Sequence, residues 1–298
     1  MKSVFGALAA LFAFSAIACA QSSAPVEEGI TPALYAVRDD NSTMYLYGTV
    51  HVRPRGADWG NARVRAALDE SEEIWTELIM SPETDQQSQV LALQLGTAPA
   101  GQPLSSWLSA DENAALNVVT ARLGMAQGAL EPYRPWLAAL TLTVVPLIQA
   151  GYDPQSGVDR AIDAYGDAAG KTMRALETPE QQLNFFGGLS PELQREMLRE
   201  AIAESESVAA MIGAMSAAWE SGDEDALTQA VVEDTRTEYP ELYQTLFVDR
   251  NNAWMEELTA EMDGAGVDFV AVGAGHIIGP DGLVAQFRAR GYEVELVR

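Results

Sequence analysis

Two segments of this chain end in the same way, with a short apolar run, then a glycine, then a histidine three positions after it. Met44-Tyr45-Leu46-Tyr47 leads into Gly48-Thr49-Val50-His51, and Phe269-Val270-Ala271-Val272 leads into Gly273-Ala274-Gly275-His276. A short apolar run that stops at a turn signal is typical of a buried strand, and glycine permits the tight turn that presents the next side chain at the strand's carboxyl end. We therefore expect both histidines at strand ends.

These are the only 2 histidines in the chain. A single histidine at a strand end is more often a hydrogen-bonded structural residue than a ligand or a catalyst, and this interpretation applies to either one taken alone. Together they favour one site that needs two imidazoles. Strand-end positions at an open site contribute little packing, so replacing either histidine is predicted to remove activity with little effect on stability.

Each motif is followed by the same order of elements, which predicts a degenerate internal duplication. Periodicity indicates a helix over 59–73 and a strand over 73–79 after His51, and a helix over 282–290 and a strand over 292–297 after His276. We expect an α/β fold with a mixed central sheet built from two strand-Gly-x-x-His-helix-strand halves. Ligands of open α/β sheets bind at the carboxyl ends of the strands.

The part of the chain between the two halves is predicted to be mostly helical and to cap the site in part. A helical insertion is expected over about 105–262, interrupted by a strand near 171–177 that follows a helix ending at Gly170. A hairpin is expected over 33–52, around Asp39-Asp40-Asn41-Ser42. The predicted helices of the insertion cover 106–123, 132–150, 180–186, 191–222, 224–233 and 240–262.

The first residues have the pattern of an export signal. Lys2, an apolar run and Ala18-Cys19-Ala20 predict a signal peptide over 1–20, a linker over 21–32 and a single domain over 33–298. The apolar run is too short for a stable membrane span. The protein is expected in the periplasm or outside the cell. In the alternative, Cys19 is lipidated and the protein is an anchored lipoprotein.

The net charge and the cysteine content exclude several kinds of partner and of catalytic chemistry. The formal net charge is -25, which repels nucleic acid and anionic membranes, so neither is an expected partner. One cysteine, within the predicted signal segment, excludes a disulfide framework and a thiolate nucleophile. The expected partner is a peptide or small-molecule substrate.

Two acidic residues also end predicted strands and are expected beside the histidines. Glu77 ends the strand after His51, and Glu177 ends the strand of the middle region. In one interpretation His51, Glu77 and His276 hold a divalent ion (Zn, Mn or Co) that activates water. In the other, a histidine oriented by a glutamate activates water without a metal. With 43 acidic residues in the chain, an individual Asp or Glu is more often a solvated surface group.

Arg250 and Asn251 precede the final motif and form the last candidates. In Asp249-Arg250-Asn251 they are placed to stabilise an oxyanion or to bind a substrate carboxylate, and the alternative is a pair on a helix surface. No Gly-x-Ser-x-Gly segment that would supply a serine nucleophile occurs in the chain.

These segments together resemble the TraB/GumN family, which is related to the Tiki proteases. The segments are Leu46-Tyr47-Gly48-Thr49-Val50-His51-Val52, Trp75-Thr76-Glu77-Leu78, Gly157-Val158-Asp159, Gly170-Lys171, Leu176-Glu177-Thr178, Asp249-Arg250-Asn251, Val270-Ala271-Val272-Gly273-Ala274-Gly275-His276 and Gly291-Tyr292. The resemblance covers about 34–297. It implies an α/β core shared with erythromycin esterases and haem-binding ChaN-like proteins, with His51, Glu77 and His276 at the common site and with Glu177, Arg250 and Asn251 beside them. It implies metal-dependent proteolysis by the Tiki relatives and metal-free hydrolysis by the esterase relatives.

The expected function is that of an exported hydrolase, metal-dependent, that cleaves a peptide or ester bond. The alternative is a binding protein without turnover that holds a metal, haem or peptide in the same cleft. Tyr47 and the histidines are candidate axial ligands for haem, although no haem-attachment motif occurs. A related alternative is a factor that sequesters a peptide.

Overall fold

A six-stranded sheet forms the centre of the molecule in a computed structural model that describes residues 29–298. The predicted signal peptide and most of the linker lie outside the described residues. The strand order is β6-β4-β7-β2-β1-β8, and β3 and β5 form a separate two-stranded pair. The strands are β1 (Leu34–Arg38), β2 (Ser42–Thr49), β3 (Arg53–Pro54), β4 (Glu73–Thr76), β5 (Tyr152–Asp153), β6 (Thr172–Ala175), β7 (Gly266–Gly273) and β8 (Glu293–Leu296).

Four neighbouring strands run in the same direction, and the other two make the sheet mixed. β6, β4, β7 and β2 are parallel, whereas β1 is antiparallel to β2 and to β8. The β1–β2 hairpin turns at Asp39, whose carboxylate accepts hydrogen bonds from the backbone N–H groups of Asn41 and Ser42. The predicted mixed α/β architecture is confirmed. Because four strands are parallel, their carboxyl ends meet at one edge.

The two predicted halves occupy different places in the sheet. In the first half the chain passes from β2 to β4, which are separated by β7 alone. In the second half it passes from β7 to β8, across both β2 and β1. The halves therefore share an order of elements along the chain but not an equivalent position in the sheet.

Helices flank the sheet and cover its carboxyl edge. Among the residues described they include α1 (Ala62–Glu70), α2 (Pro82–Gly96), α3 (Ala110–Arg122), α4 (Pro135–Gln149), α5 (Val158–Ala169), α6 (Pro179–Gly187), α7 (Pro191–Glu204), α8 (Val208–Ser221), α9 (Glu224–Leu227), α10 (Asp234–Glu238), α11 (Pro240–Tyr243), α12 (Asp249–Met262), α13 (Ala274–Ile277) and α14 (Leu283–Ala289). None of the helices in residues 29–298 has the length and apolar character needed to cross a membrane.

Two helical segments differ from the expectation drawn from periodicity. Helix α2 was not predicted, although Ser81 caps its first turn and Pro82 follows at the first helical position. The helix predicted over 191–222 is two helices. The break falls at Ser205 and Ser207. Their hydroxyls donate to the carbonyls of Ile202 and Glu204 and so provide hydrogen-bond partners for carbonyl groups at the end of α7.

The helical layer has its own apolar centre, and one helix of it is fixed directly to the sheet. Trp136 of α4 is fully buried and stacks on Phe186 of α6 with ring centroids 6.1 Å apart. Trp219 of α8 donates its indole N–H to the carbonyl of Gly48 over 2.7 Å, at the end of β2. Because Gly48 begins the first Gly-x-x-His motif, α8 lies immediately over it.

Candidate functional site

The parallel strands bring four of the sequence-predicted residues to one edge of the sheet. His51 follows β2, Glu77 follows β4, Glu177 follows β6 and His276 follows β7. The strand order therefore places them as Glu177, Glu77, His276 and His51 across neighbouring strands. All four are buried, with 3% to 7% of their surface exposed. The sheet topology, and not proximity along the chain, makes these residues neighbours.

The glycines of the two motifs are needed where the motifs approach each other. A Cβ atom on Gly273 would lie 3.1 Å from Glu77 Oε1, 3.5 Å from His51 Nε2 and 3.6 Å from His276 Cδ2. A Cβ atom on Gly48 would lie 2.8 Å from Cα of Ala274. Neither glycine has a positive φ, so close approach and not a left-handed turn requires glycine at these positions. The two histidine rings consequently face the same small volume.

Arg250 lies at the centre of the group and donates all of its N–H groups to protein atoms. Its Nε and Nη2 atoms bind the two oxygens of Glu177 over 2.7 and 2.8 Å, and Nη2 also binds Glu77 Oε2 over 2.6 Å. Its Nη1 atom donates to His276 Nε2 over 2.9 Å and to the carbonyl of Leu246 over 3.3 Å. Five donors meet five acceptors, so no N–H of Arg250 is left for a substrate in this arrangement.

These bonds fix the protonation state of His276. Because Nε2 accepts from a guanidinium, which can only donate, the proton of the neutral ring is on Nδ1, which donates to Asn251 Oδ1 over 2.7 Å. Asn251 is oriented in turn by its amide N–H groups, which donate to the carbonyls of His276 and Asp281. Burial, reinforced by the positive charge of Arg250, holds the pKa of His276 well below its ordinary value. His276 is therefore a neutral ring held by hydrogen bonds at both nitrogens.

Glu77 is ionised and saturated with donors. Its Oε1 atom accepts from the backbone N–H of Gly273 over 2.7 Å, and Oε2 accepts from Arg250 and from Gln182 Nε2. Burial raises the pKa of Glu77, but the charge of Arg250, with the hydrogen bond from Gly273, outweighs burial and brings it down to about 2. The carboxylate thus places a permanent negative charge 4.0 Å from His51 Nε2.

His51 differs from His276 in its surroundings. Its Nδ1 atom lies 3.3 Å from Asp159 Oδ2 in an ion-pair contact. Its Nε2 atom is buried and has no hydrogen-bond partner among the described residues. Burial lowers the pKa of His51, but Asp159 and then Glu77 overcome that effect and leave the pKa raised.

Sequence reasoning missed three residues of this site. Asp159 begins α5 and faces His51, Gln182 of α6 binds Glu77, and Trp254 of α12 donates its indole N–H to Glu177 Oε1 over 3.0 Å. Asp159 had a usable signal, since it lies in the first turn of a helix that begins beside the His51 motif: the N–H of Val158 donates to the carbonyl of Val50. Gln182 and Trp254 had none, because neither follows a strand.

The three predicted metal ligands do not fit an ion in this arrangement. His276 Nε2 and both oxygens of Glu77 are already bound to donors, and the guanidinium of Arg250 lies where a second cation would be repelled. Among the described residues, the group close enough to share an ion is Glu73, Glu261 and Asp268, near the amino ends of β4 and β7. That group is an acidic cluster in which Glu73 pairs with Arg174. The metal stays an untested prediction.

Haem also does not fit the site as arranged. Tyr47, a candidate axial ligand, is fully buried and its hydroxyl donates to the carbonyl of Trp59 over 2.8 Å. The cavity beside His51 has a volume of about 40 Å³, enough for a few atoms and far too small for a porphyrin.

Two comparisons with known proteins agree with this fold and its motifs. The model of the TraB/PrgY/gumN family matches residues 33–296. A protein of Treponema pallidum (strain Nichols), described as an uncharacterized protein, is 23% identical over 271 residues, which cover 86% of this chain and 80% of that protein. No solved structure matches the chain. The match of nearly the whole described chain to one family confirms the resemblance carried by the motifs, and the protein belongs to the TraB/PrgY/gumN family.

Proposed function

We propose that the protein is an exported hydrolase that cleaves an ester or peptide bond with a water molecule activated by His51. The proposal rests on one observation, the difference in hydrogen bonding between His51 and the other residues of the site. The polar atoms of Glu77, Arg250 and His276 are bound to protein partners. His51 Nε2 is buried, has no hydrogen-bond partner in the described part of the chain, and belongs to a ring flanked by two carboxylates. A buried imidazole in this state is typical of a general base.

In the proposed reaction His51 moves one proton twice. Neutral His51 takes a proton from water at Nε2 while the water oxygen forms a bond to the substrate carbonyl carbon. The resulting imidazolium is stabilised by Asp159 at 3.3 Å and by Glu77 at 4.0 Å. The same proton then goes to the leaving alcohol or amine as its bond to carbon breaks.

The other residues act by holding this geometry. Arg250 holds the carboxyl groups of Glu77 and Glu177 in place beyond the ends of two strands. Asn251 and Arg250 fix the ring of His276, which packs against Trp254 with centroids 4.4 Å apart. We therefore assign Glu177, Arg250, Asn251 and His276 as positioning residues, and His51, with Asp159 and Glu77 beside it, as the reacting group.

The proposal is tested with purified protein, short-chain p-nitrophenyl esters and a mixed peptide library. We expect a His51→Gln variant to lose on the order of 10²- to 10⁴-fold in kcat/KM with its unfolding midpoint little changed. Exhaustive chelation should leave the wild-type rate unchanged, because no step passes through a metal. A rate that His51→Gln leaves intact contradicts the proposal, and a rate that chelation removes and Zn, Mn or Co restores supports the metal-dependent alternative.

A pH profile identifies the base. Since His51 must be neutral to accept a proton, kcat/KM should rise with pH through its raised pKa. Replacing Asp159 by Asn removes the main charge that raises this pKa, so the rising limb should move to lower pH. An unchanged limb in Asp159→Asn would show that another group is the base.

A second candidate function is binding without turnover. The saturation of Arg250 and His276 by protein atoms favours it, since neither offers a group to stabilise a developing charge. Stoichiometric retention of a peptide or small ligand, without products, would support this candidate. The exported location is tested separately, by fractionating cells and measuring the mass of the mature protein, which also distinguishes cleavage after Ala20 from lipidation at Cys19.

A further inference from the structure

A small apolar cavity lies against His51. Its floor is formed by residues 49–52, at the end of β2 and just beyond it. Its roof is formed by Ile212 and Met215 of α8 together with Leu227 and Val231. The volume is about 40 Å³, which is room for a short aliphatic group. The four roof residues are aliphatic or thioether side chains, so the roof offers a ligand carbon and sulfur contacts alone.

Two buried polar atoms, on residues that form the floor, lack hydrogen-bond partners among residues 29–298. They are Thr49 Oγ1 and His51 Nε2, on residues with 3% and 6% of their surface exposed. A buried polar group without a partner costs about 1–3 kcal/mol, and such groups in a folded protein call for an explanation. Thr49 is the last residue of β2, His51 follows it by two positions, and both residues line the cavity.

The composition of the cavity matches one chemical class of ligand. An aliphatic chain that ends in a carbonyl group would fill the apolar roof and place its oxygen beside a hydroxyl donor. The roof also has room to adapt, because Met215 is unbranched and adjusts to irregular shapes. The roof residue Val231 lies in a π-helical segment, Thr228–Glu233. Short π-helical segments are often found beside functional sites.

We infer that this cavity binds the short aliphatic acyl group of the substrate and that Thr49 donates its hydroxyl hydrogen to the carbonyl oxygen. The inference rests on the proposed function for the chemistry at His51. Water adds to the carbonyl carbon as His51 Nε2 takes its proton, and the negative charge on the carbonyl oxygen is stabilised by Thr49. The carbonyl re-forms as the bond to the leaving alcohol or amine breaks and His51 returns the proton to it.

The kinetic test compares p-nitrophenyl acetate, butanoate and octanoate. Thr49→Val removes the hydroxyl and keeps the shape, and should lower kcat/KM about tenfold or more on all three esters without moving the pH profile of His51. Thr49→Ser restores the hydroxyl and should recover most of the rate. Met215→Ala enlarges the roof and should shift the preference toward longer acyl chains. Thr143→Val, which removes a buried hydroxyl in α4 away from the cavity, serves as the control for stability.

The outcomes distinguish a failure of the inferred acyl subsite from a failure of the proposed function. The inference is overturned if hydrolysis depends on His51 but Thr49→Val does not affect the rate. It is also overturned if Met215→Ala keeps the chain-length preference of the wild type. In both cases the proposed function still stands. Absence of hydrolysis by the wild type contradicts the proposed function, and the cavity is then judged by binding of butanamide, measured by tryptophan fluorescence. Binding that Thr49→Val weakens several-fold supports the subsite, and absence of binding overturns it.

Discussion

The two histidines occupy the same sequence motif but have opposite surroundings. His276 is hydrogen-bonded at both nitrogens and packs between Trp254 and Phe247, with centroid distances of 4.4 and 5.1 Å. His51 has ion-pair contacts with Asp159 and Glu77, and its Nε2 atom has no hydrogen-bond partner among residues 29–298. The motif alone predicts equal roles for them. The contacts differ, which is why the proposed function gives His276 a positioning role and His51 the role of the base.

The first prediction concerns the stability of the two histidine variants. His276→Ala leaves an N–H of Arg250 and the oxygen of Asn251 without partners and opens a cavity between two aromatic rings, which should cost about 2–4 kcal/mol. His51→Ala should cost about 1 kcal/mol. Urea unfolding of both variants measures the difference. Equal losses would show that the hydrogen bonds of His276 add nothing to folding.

Helix α5 carries two buried aspartates, Asp159 and Asp163, beside the carboxyl edge of the sheet. Asp159 in its first turn faces His51, and Asp163 one turn later is 3% exposed and accepts the N–H of Met80 over 2.6 Å. Burial, and next the neighbouring Asp159, raises the pKa of Asp163 from 3.8 to about 7. The helix that begins beside the His51 motif thus carries one carboxyl group that contacts His51 and one whose pKa is raised.

The second prediction follows from the raised pKa of Asp163. The folded state holds this proton up to about pH 7, whereas the unfolded chain releases it near pH 4, so the folded state loses stability as the pH rises between those values. Asp163→Asn keeps an acceptor for Met80 and removes the titration. The variant should match the wild type at pH 4 and be more stable by on the order of 2 kcal/mol at pH 8.

The control for this prediction lies on the same helix. Asp167 is exposed, so Asp167→Asn should change the pH dependence of the unfolding free energy little. A pH dependence of stability that is the same in Asp163→Asn as in the wild type would show that Asp163 titrates normally in the folded state.

At the scale of the whole molecule, Arg250 joins the helical layer to the sheet. It lies on α12 and binds the residues that end β4, β6 and β7. Its side chain is 1% exposed, and the carboxylates it binds are 7% and 5% exposed. A buried charge of this kind is compensated by its partners, so removing it leaves two buried carboxylates uncompensated.

The third prediction tests this junction. Arg250→Met should lower the free energy of unfolding by about 3–5 kcal/mol, and adding Glu177→Gln should recover part of that loss because one uncompensated charge is removed. Arg195→Met, which breaks an exposed pair with Glu192, should cost less than about 1 kcal/mol. Denaturant titrations give all three values, and the absence of recovery in the double variant would contradict the electrostatic explanation.

The sequence by itself determined that strands end at His51, Glu77, Glu177 and His276, because apolar runs and turn signals are local properties of the chain. It also determined the family. The tertiary structure alone decided that β7 lies between β2 and β4, which brings residues distant along the chain to one edge. It also decided that Arg250 binds Glu77 and His276, whereas His51 Nε2 has no hydrogen-bond partner within residues 29–298. Hydrogen-bond partners depend on side-chain positions in space, which spacing along the chain does not encode.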